Sequence, residues 1–436
     1  MSDCHALEGF AWSNLERVFR LALGVFQTAL MARYLGPSSF GLLSNAAALV
    51  GLAAGLATLG LDSILMRRIA LQPDEAGRIM GTALGLRLIS GGLVFAGYLA
   101  WIGGDVVPAS ERAVVGIVAL TSITQALAVF DSWYKGHTKQ KQVAWSQIAA
   151  FMAALALRMI GIGMGAGLWY FALVVVLEAG LGGCLLALGW LRSQRIRLAP
   201  LDGRTALSLM AESWPQIVAG VAVAICMRFD LVLVARLLGA NEAGEYAAAV
   251  RISELIQFMP VALVSVLAPT LLRLRERDHL EYERALAGLL ALSLWAGLLV
   301  SGALCSMAGL GTLMIFGERY HASASILRIH CWSNVTVFVG TTWSVYWLAE
   351  RRQGVSMLIT IAGALAAIAA TLLLVPSIGS HGAAAATLCG QLVPFVALLL
   401  WTGPRRLLAE MGAAFLHPLV SARRTSSYLY TGRGNT

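Results

Sequence analysis

Charged side chains are scarce in this chain. Asp, Glu, Lys and Arg make up 13% of its 436 residues, against 58% hydrophobic residues and a mean hydropathy of +0.75. Soluble domains carry about 25% charged residues, so a water-soluble globule is excluded and a polytopic membrane protein is indicated. The motifs G-x-x-x-x-G-K-[ST] and H-E-x-x-H are also missing, so ATP-driven transport within the chain and zincin-type hydrolysis lack their usual residues. Six cysteines (Cys4, Cys184, Cys226, Cys305, Cys331 and Cys389) show no C-x-x-C spacing. They indicate neither a disulfide framework nor a thiolate metal site. No small-residue cleavage motif follows the first apolar run, and the first helix is expected to stay in the mature protein.

What the chain does have is a series of apolar segments about 20 residues long, enough to cross a bilayer. Twelve are read near 14–35, 38–62, 78–102, 112–131, 143–165, 169–191, 213–237, 243–269, 284–308, 323–347, 354–375 and 381–403. Six precede and six follow the basic stretch "RSQRIRLAPLDGR", Arg192 to Arg204. The expected fold is all-α and integral to the membrane, with one six-helix lobe over 1–200, a second over 201–404 and a tail over 405–436. Arg405 to Val420 in that tail has the spacing of a helix lying on the cytoplasmic surface. Loops after even-numbered spans, with the linker and tail, hold 21 Lys and Arg residues, whereas loops after odd-numbered spans hold four: Arg33, Arg112, Arg236 and Arg319. The positive-inside rule then places both termini in the cytoplasm. The same bias explains the net charge of +9 through topology, with no nucleic-acid partner.

One phrase occurs twice. "ARYLGPSSFG", Ala32 to Gly41, returns 203 positions later as "ARLLGANEAG", Ala235 to Gly244, and Ala32–Ala46 matches Ala235–Ala249 at six of fifteen positions. Copies six spans apart share one orientation, with their symmetry axis along the membrane normal. Gly36 and Gly239 are expected at helix C-caps with positive φ. Arg33 and Arg236, one turn earlier, either complement the helix dipole and reach headgroups or touch a substrate.

The stretch "ARYLGPSSFGLLSNAAALVGLAAGLATLGLDSILMRRIA", Ala32 to Ala70, resembles the second-span signature of bacterial oligosaccharide flippases, the polysaccharide-exporter branch of the MOP (multidrug/oligosaccharidyl-lipid/polysaccharide) superfamily. The R-[YL]-L-G-x-x-x-x-G hairpin and Gly60 to Ser63 carry it most sharply, and the likeness extends over the twelve-span layout. It implies a MATE-like, V-shaped pair of six-helix bundles in the inner membrane that moves polyprenyl-diphosphate-linked oligosaccharide from the cytoplasmic to the external leaflet. Such a flippase serves O-antigen or exopolysaccharide synthesis beside glycosyltransferases and a glycan polymerase, with membrane lipids around it.

Chemistry supports that task independently. A diphosphate bearing sugars is strongly hydrated, and hydrocarbon is prohibitive to it. A carrier needs a wet, cationic cavity. Seven arginines fall inside the spans: Arg17, Arg20, Arg87, Arg158, Arg228, Arg251 and Arg328. Against them stand Glu16, Glu178, Asp230 and Glu254, an excess of three positive charges. Guanidinium keeps its charge when desolvated and forks onto phosphate oxygens. Each has a structural alternative. Arg17, Arg20 and Arg328 lie near span ends and are placed to snorkel, Glu16 and Arg20 are four apart and placed to pair, and Arg251 and Glu254 are three apart on one helix face. Arg228 and Asp230, two apart, cannot pair within their helix, which leaves a contact between Asp230 and Arg251 as the other arrangement. Arg87, Arg158 and Arg228 lie deepest, and Gln at any of them is expected to spare folding while lowering transport.

Pro215 and Pro260 are placed to bend spans 7 and 8. No cofactor is called for. Glu178, Asp230 and Glu254 suit a coupling ion, H⁺ or Na⁺, and equally suit neutralisation of neighbouring arginines. His330 reads as a hydrogen-bonded packing residue ahead of a proton relay. A multidrug exporter of the same superfamily is the second reading, but it is expected to carry an acidic excess for organic cations. A membrane glycan polymerase comes last, because no external loop exceeds about 15 residues.

Overall fold

A computed structural model describes residues 2–104, 108–193 and 198–400. The side chains of residues 2–22 lie outside that set, as does the tail with its expected surface helix. Every regular element among the described residues is helical, as the hydropathy pattern requires. Nine stretches among the described residues are long and apolar enough to cross a membrane: Leu23–Leu52, Pro73–Gly103, Glu111–Gly136, Gln140–Gly163, Leu168–Arg192, Gly203–Leu238, Ala240–Val264, His279–Phe316 and Gly354–Ile378. They reconcile with twelve apolar segments because some segments are merged or broken. The helix Ser2–Leu52 runs through the first segment and into the second across a non-helical Gly36, the tenth divides into Ser323–His330 and Ser333–Ala349, and the twelfth is Ser380–Leu400.

Each break has a cause. The second segment breaks after Leu52, continues as the short helix Ala54–Thr58, turns through left-handed Leu59 (φ 54°) and Gly60 (φ 56°), and resumes as Asp62–Leu71. The helix Gly203–Leu238 lies directly against it: a Cβ on Gly60 would come within 2.7 Å of the Gln216 Cβ, and one on Gly55 within 3.0 Å of the Val221 nitrogen. Farther on, the chain leaves helix at Gln257 and resumes as Phe258–Arg277. Pro260 has no N–H for the Ile256 carbonyl and its ring crowds that oxygen, so the interruption falls where proline demands it. Pro215 is held within the uninterrupted helix Gly203–Leu238.

The helices pack into two compact units. One is built on the residues up to Ala235 together with Gly239–Gly244, the other on Arg236–Leu238 and the residues from Glu245 onward. Packing thus assigns most of Gly203–Leu238 to the first unit, while the six-and-six count makes it the first helix of the second lobe. In the first unit, Leu61, Leu65, Ile69, Met80, Trp133 and Trp190 form one core and Leu43, Val50, Val115 and Phe171 belong to another. In the second, Tyr282, Leu286, Leu290, Trp343 and Trp347 share a core.

Lipid supplies no hydrophobic drive between helices, so close packing and polar contacts carry the association. Ser146 donates to the Gly182 carbonyl at 2.6 Å, Ser293 and Thr342 share a hydrogen bond of 2.7 Å, and Ser301 donates to the Cys331 carbonyl at 2.9 Å. Outside the spans of the second unit, Arg275 grips both carboxylate oxygens of Glu350 at 2.9 and 3.4 Å. That hydrogen bonding raises the guanidinium pKa above its already high ordinary value.

The repeated phrase now has a structural account. Gly36 (φ 72°, ψ 170°) and Gly239 (φ 90°, ψ 177°) adopt the same glycine-only conformation, as expected, and the Gly239 N–H caps the Ala235 carbonyl at 3.1 Å. The copies also meet. A Cβ on Gly41 would collide with the carbonyl oxygen of Ala240, and one on Gly244 with that of Pro37. Pro37 and Ala240 are equivalent in the repeat, as are Gly41 and Gly244, so the contact is reciprocal in the way a two-fold contact must be. Each copy needs the other's glycine.

Candidate functional site

Apolar helices leave few places for charge, and the structure sorts the intramembrane arginines by the company they keep. In the first unit, Arg87 comes from the helix Ala76–Gly103 and is fully buried, with Nη2 donating to Asp62 Oδ1 at 2.9 Å. Its Nε and Nη1 are buried without a hydrogen-bond partner. The backbone turn at Leu59 and Gly60 brings Asp62 to it. Arg158, on Gln140–Gly163, is also buried and donates from Nη2 to Glu178 Oε2 at 2.7 Å, Glu178 coming from Leu168–Ser193. With its amide carbonyl turned toward the guanidinium, Gln27 accepts from Arg158 Nη2 at 3.0 Å as well. Arg228 and Asp230 on Gly203–Leu238 are half-buried, both with interaction partners, and Asp230 Oδ1 accepts the Leu231 N–H at 2.7 Å.

The second unit treats its arginines differently. Arg251 stands 3.8 Å from Glu254 on the same helix, with 46% of its side chain exposed. Of the two arrangements the sequence left open, this local pair is present, but beyond hydrogen-bonding distance. Arg328 is exposed in the last turn of Ser323–His330 and lies beside Gly309. His330 is buried edge-on to Tyr246 at 6.4 Å, and its Nδ1 lacks the hydrogen bond expected of a buried packing histidine. The side chains of Arg17 and Arg20, and of Glu16, lie outside the described residues. Among the described residues no group of three His, Cys, Asp or Glu is placed to hold a metal.

Three participants escaped the sequence reading. Asp62 sits inside the Gly60–Ser63 stretch, and its place in an apolar run was the available signal. Gln27 had no signal beyond being a polar residue in a span. Glu245 is buried in the second unit and accepts from the Ser323 N–H at 2.8 Å and hydroxyl at 2.5 Å, capping the helix Ser323–His330. Counting Asp62 and Glu245 with the four acids found earlier sets six against seven arginines, so the excess of three falls to one. Placement, rather than net charge, therefore distinguishes the arginines.

Residues 6–275, well over half the chain, match a protein family described as polysaccharide biosynthesis protein. The chain belongs to that family. No curated protein sequence matches it. Its fold is similar to the inward-facing form of a multidrug resistance MATE family transporter of the MOP superfamily, with a TM-score of 0.72 at 17% identity over 91% of this chain and 95% of that one. The lipid II flippase MurJ in an inward closed conformation gives a TM-score of 0.67 at 13% identity, over 94% and 91%. A MOP superfamily transporter from Pyrococcus furiosus gives 0.61 at 17%, over 92% and 96%. The chain is thus a multi-pass membrane protein of the polysaccharide biosynthesis family, with the fold seen in MOP superfamily transporters.

Proposed function

We propose that the protein carries polyprenyl-diphosphate-linked oligosaccharide from the cytoplasmic to the external leaflet of a bacterial inner membrane by alternating access, for cell-surface polysaccharide synthesis. The observation that carries this reading is the polysaccharide biosynthesis family match over residues 6–275. The arginines are its chemical support. An arginine exposed within a span helix faces water or reaches the headgroups, because lipid is too costly. Arg251 and Arg328, with half-buried Arg228, are therefore the cations assigned to the diphosphate, and Arg17 and Arg20 join them near the cytoplasmic end of the first span. Arg87 and Arg158 hold helices of the first unit together. Glu254 and Asp230 tune the neighbouring charge or take a coupling ion, and Glu178 serves Arg158. The 21-to-4 bias of basic residues puts both termini in the cytoplasm.

The test is accumulation of lipid-linked glycan on the cytoplasmic side in cells carrying Arg228→Gln, Arg251→Gln or Arg328→Gln at normal membrane abundance. Accumulation supports the reading. Normal export from all three and from their combination removes the arginines from it. The likeness to a multidrug MATE transporter favours a second reading, drug export, for which the same variants would alter efflux of a cationic dye and leave lipid-linked glycan unchanged. Orientation is tested by single cysteines in a cysteine-free background. An impermeant thiol reagent on intact cells should label Ser110→Cys and not Thr138→Cys.

A further inference from the structure

Two adjacent arginines of the first unit converge on one carboxylate. Arg67 and Arg68 lie in the C-terminal half of the helix Asp62–Leu71, Arg68 in its last turn, and both reach Glu212 on Gly203–Leu238. Arg67 Nη2 pairs with Glu212 Oε1; Arg68 donates from Nε to Oε2 at 2.9 Å and its Nη2 stands 2.7 Å from the same oxygen. Arg68 Nη2 also donates to the Ser208 hydroxyl at 2.8 Å, one turn before Glu212. The group lines a recess of about 500 Å³ completed by Leu71 and Gln72.

Stability does not explain the part Arg67 plays in this arrangement. Arg67 has 60% of its side chain exposed, and exposed ion pairs contribute at most about 1 kcal/mol. Neighbouring helix positions also diverge by about 100° around the axis, so bringing both guanidinia onto one acceptor orders two long side chains. What the pair presents is two planar forks aimed at the separate oxygens of one anion, with a surplus positive charge, a hydroxyl and an open recess. A carboxylate spans two such forks. A phosphate or diphosphate, with more oxygens and more charge, spans them better. Leu71, exposed on the recess wall, gives the anion an apolar flank.

We infer that Arg67 and Arg68 form a docking site for the phosphate head of an amphiphile and that Glu212 fills it until such a head displaces the carboxylate. The site lies at the end of the first unit that the basic-residue bias makes cytoplasmic. Its assigned occupant, the diphosphate of the lipid-linked substrate before translocation, rests on the proposed function. A phosphate-bearing bilayer lipid has the same chemistry.

The experiment measures binding of farnesyl diphosphate to the full-length protein in nanodiscs of phosphatidylcholine. Arg68→Gln should weaken binding about tenfold and Arg67→Gln about threefold, while Glu212→Gln should tighten it about threefold by removing the internal competitor. In the Arg67→Gln, Arg68→Gln background, Glu212→Gln should have no further effect, and farnesol should not distinguish any of the variants. Arg67→Gln alters an exposed side chain and keeps the test readable should another variant fold poorly. Equal affinity across the series, or weaker binding by Glu212→Gln, overturns the site. If phosphatidylglycerol in the nanodiscs competes with farnesyl diphosphate through these arginines, the docking chemistry stands and the lipid source is identified. If the affinities follow the pattern but Arg67→Gln, Arg68→Gln cells export lipid-linked glycan normally, the site stands and its assignment to the substrate falls. The proposed function itself is decided separately by the intramembrane variants.

Discussion

Arg158 of the first unit and Arg251 of the second are both intramembrane arginines beside a glutamate, yet their settings are opposite. Arg158 has 5% of its side chain exposed and touches Glu178 at 2.7 Å from a neighbouring helix. Arg251 has 46% exposed and stands 3.8 Å from Glu254 three residues along its own helix. A tight cross-helix pair spends the charge on holding helices together. A loose local pair leaves most of the guanidinium available to a ligand. Depth in the membrane does not by itself sort the arginines: of the three deepest, Arg87 and Arg158 are buried in cross-helix pairs, whereas Arg228 is half-buried.

The largest expected effect tests the closed side of that contrast. Arg158→Ala leaves Glu178 without its cation and should destabilise the protein by about 3–5 kcal/mol. The measurement is thermal unfolding in detergent together with membrane abundance, and Arg158→Lys should recover part of the loss. Wild-type stability for the alanine variant would show that the pair carries no structural load. This revises the expectation that Gln at 87 or 158 would spare folding, because removal of one partner strands or unbalances the other.

Close packing makes the next distinction. Gly41→Ala and Gly244→Ala each force a methyl into a carbonyl oxygen of the other repeat copy and should cost about 1–3 kcal/mol. Their double variant should cost less than the sum if one shift of the backbone relieves both contacts. Gly302, in the second unit, has nothing within 4 Å of an added Cβ. Gly302→Ala should be neutral or stabilising by up to about 1 kcal/mol through helix propensity. A Gly302→Ala variant as unstable as Gly41→Ala would remove the distinction.

Arg251→Gln sits at the small end for stability, within about 1 kcal/mol of wild type, and sharpens the contrast functionally. Lipid-linked glycan should accumulate on the cytoplasmic side although abundance is normal. Glu254→Gln, which frees Arg251 further, should leave abundance equally unaltered. Loss of folded protein in either variant would place Arg251 with Arg158.

Much of the fold was legible in the residues. Apolar length set the spans, the two copies of "AR-x-L-G" foretold matching glycine caps, and the three-residue spacing of Arg251 and Glu254 offered their contact as one of two arrangements. Pairs distant in sequence were not legible. Arg87 and Asp62 are 25 positions apart and Arg158 and Glu178 are 20 apart, and helix periodicity says nothing about such distances.

Sequence alone therefore determined a helical membrane protein, its repeat and the positions that only glycine can fill, because these follow from local properties: hydropathy along about 20 residues and backbone freedom at one residue. Tertiary structure alone decided which arginines are consumed by carboxylates, why Arg67 and Arg68 share Glu212, and why each repeat copy requires the other's glycine. Those outcomes depend on which helix faces become neighbours. In a bilayer that choice rests on shape and polar matching between whole helices, which no single stretch of residues contains.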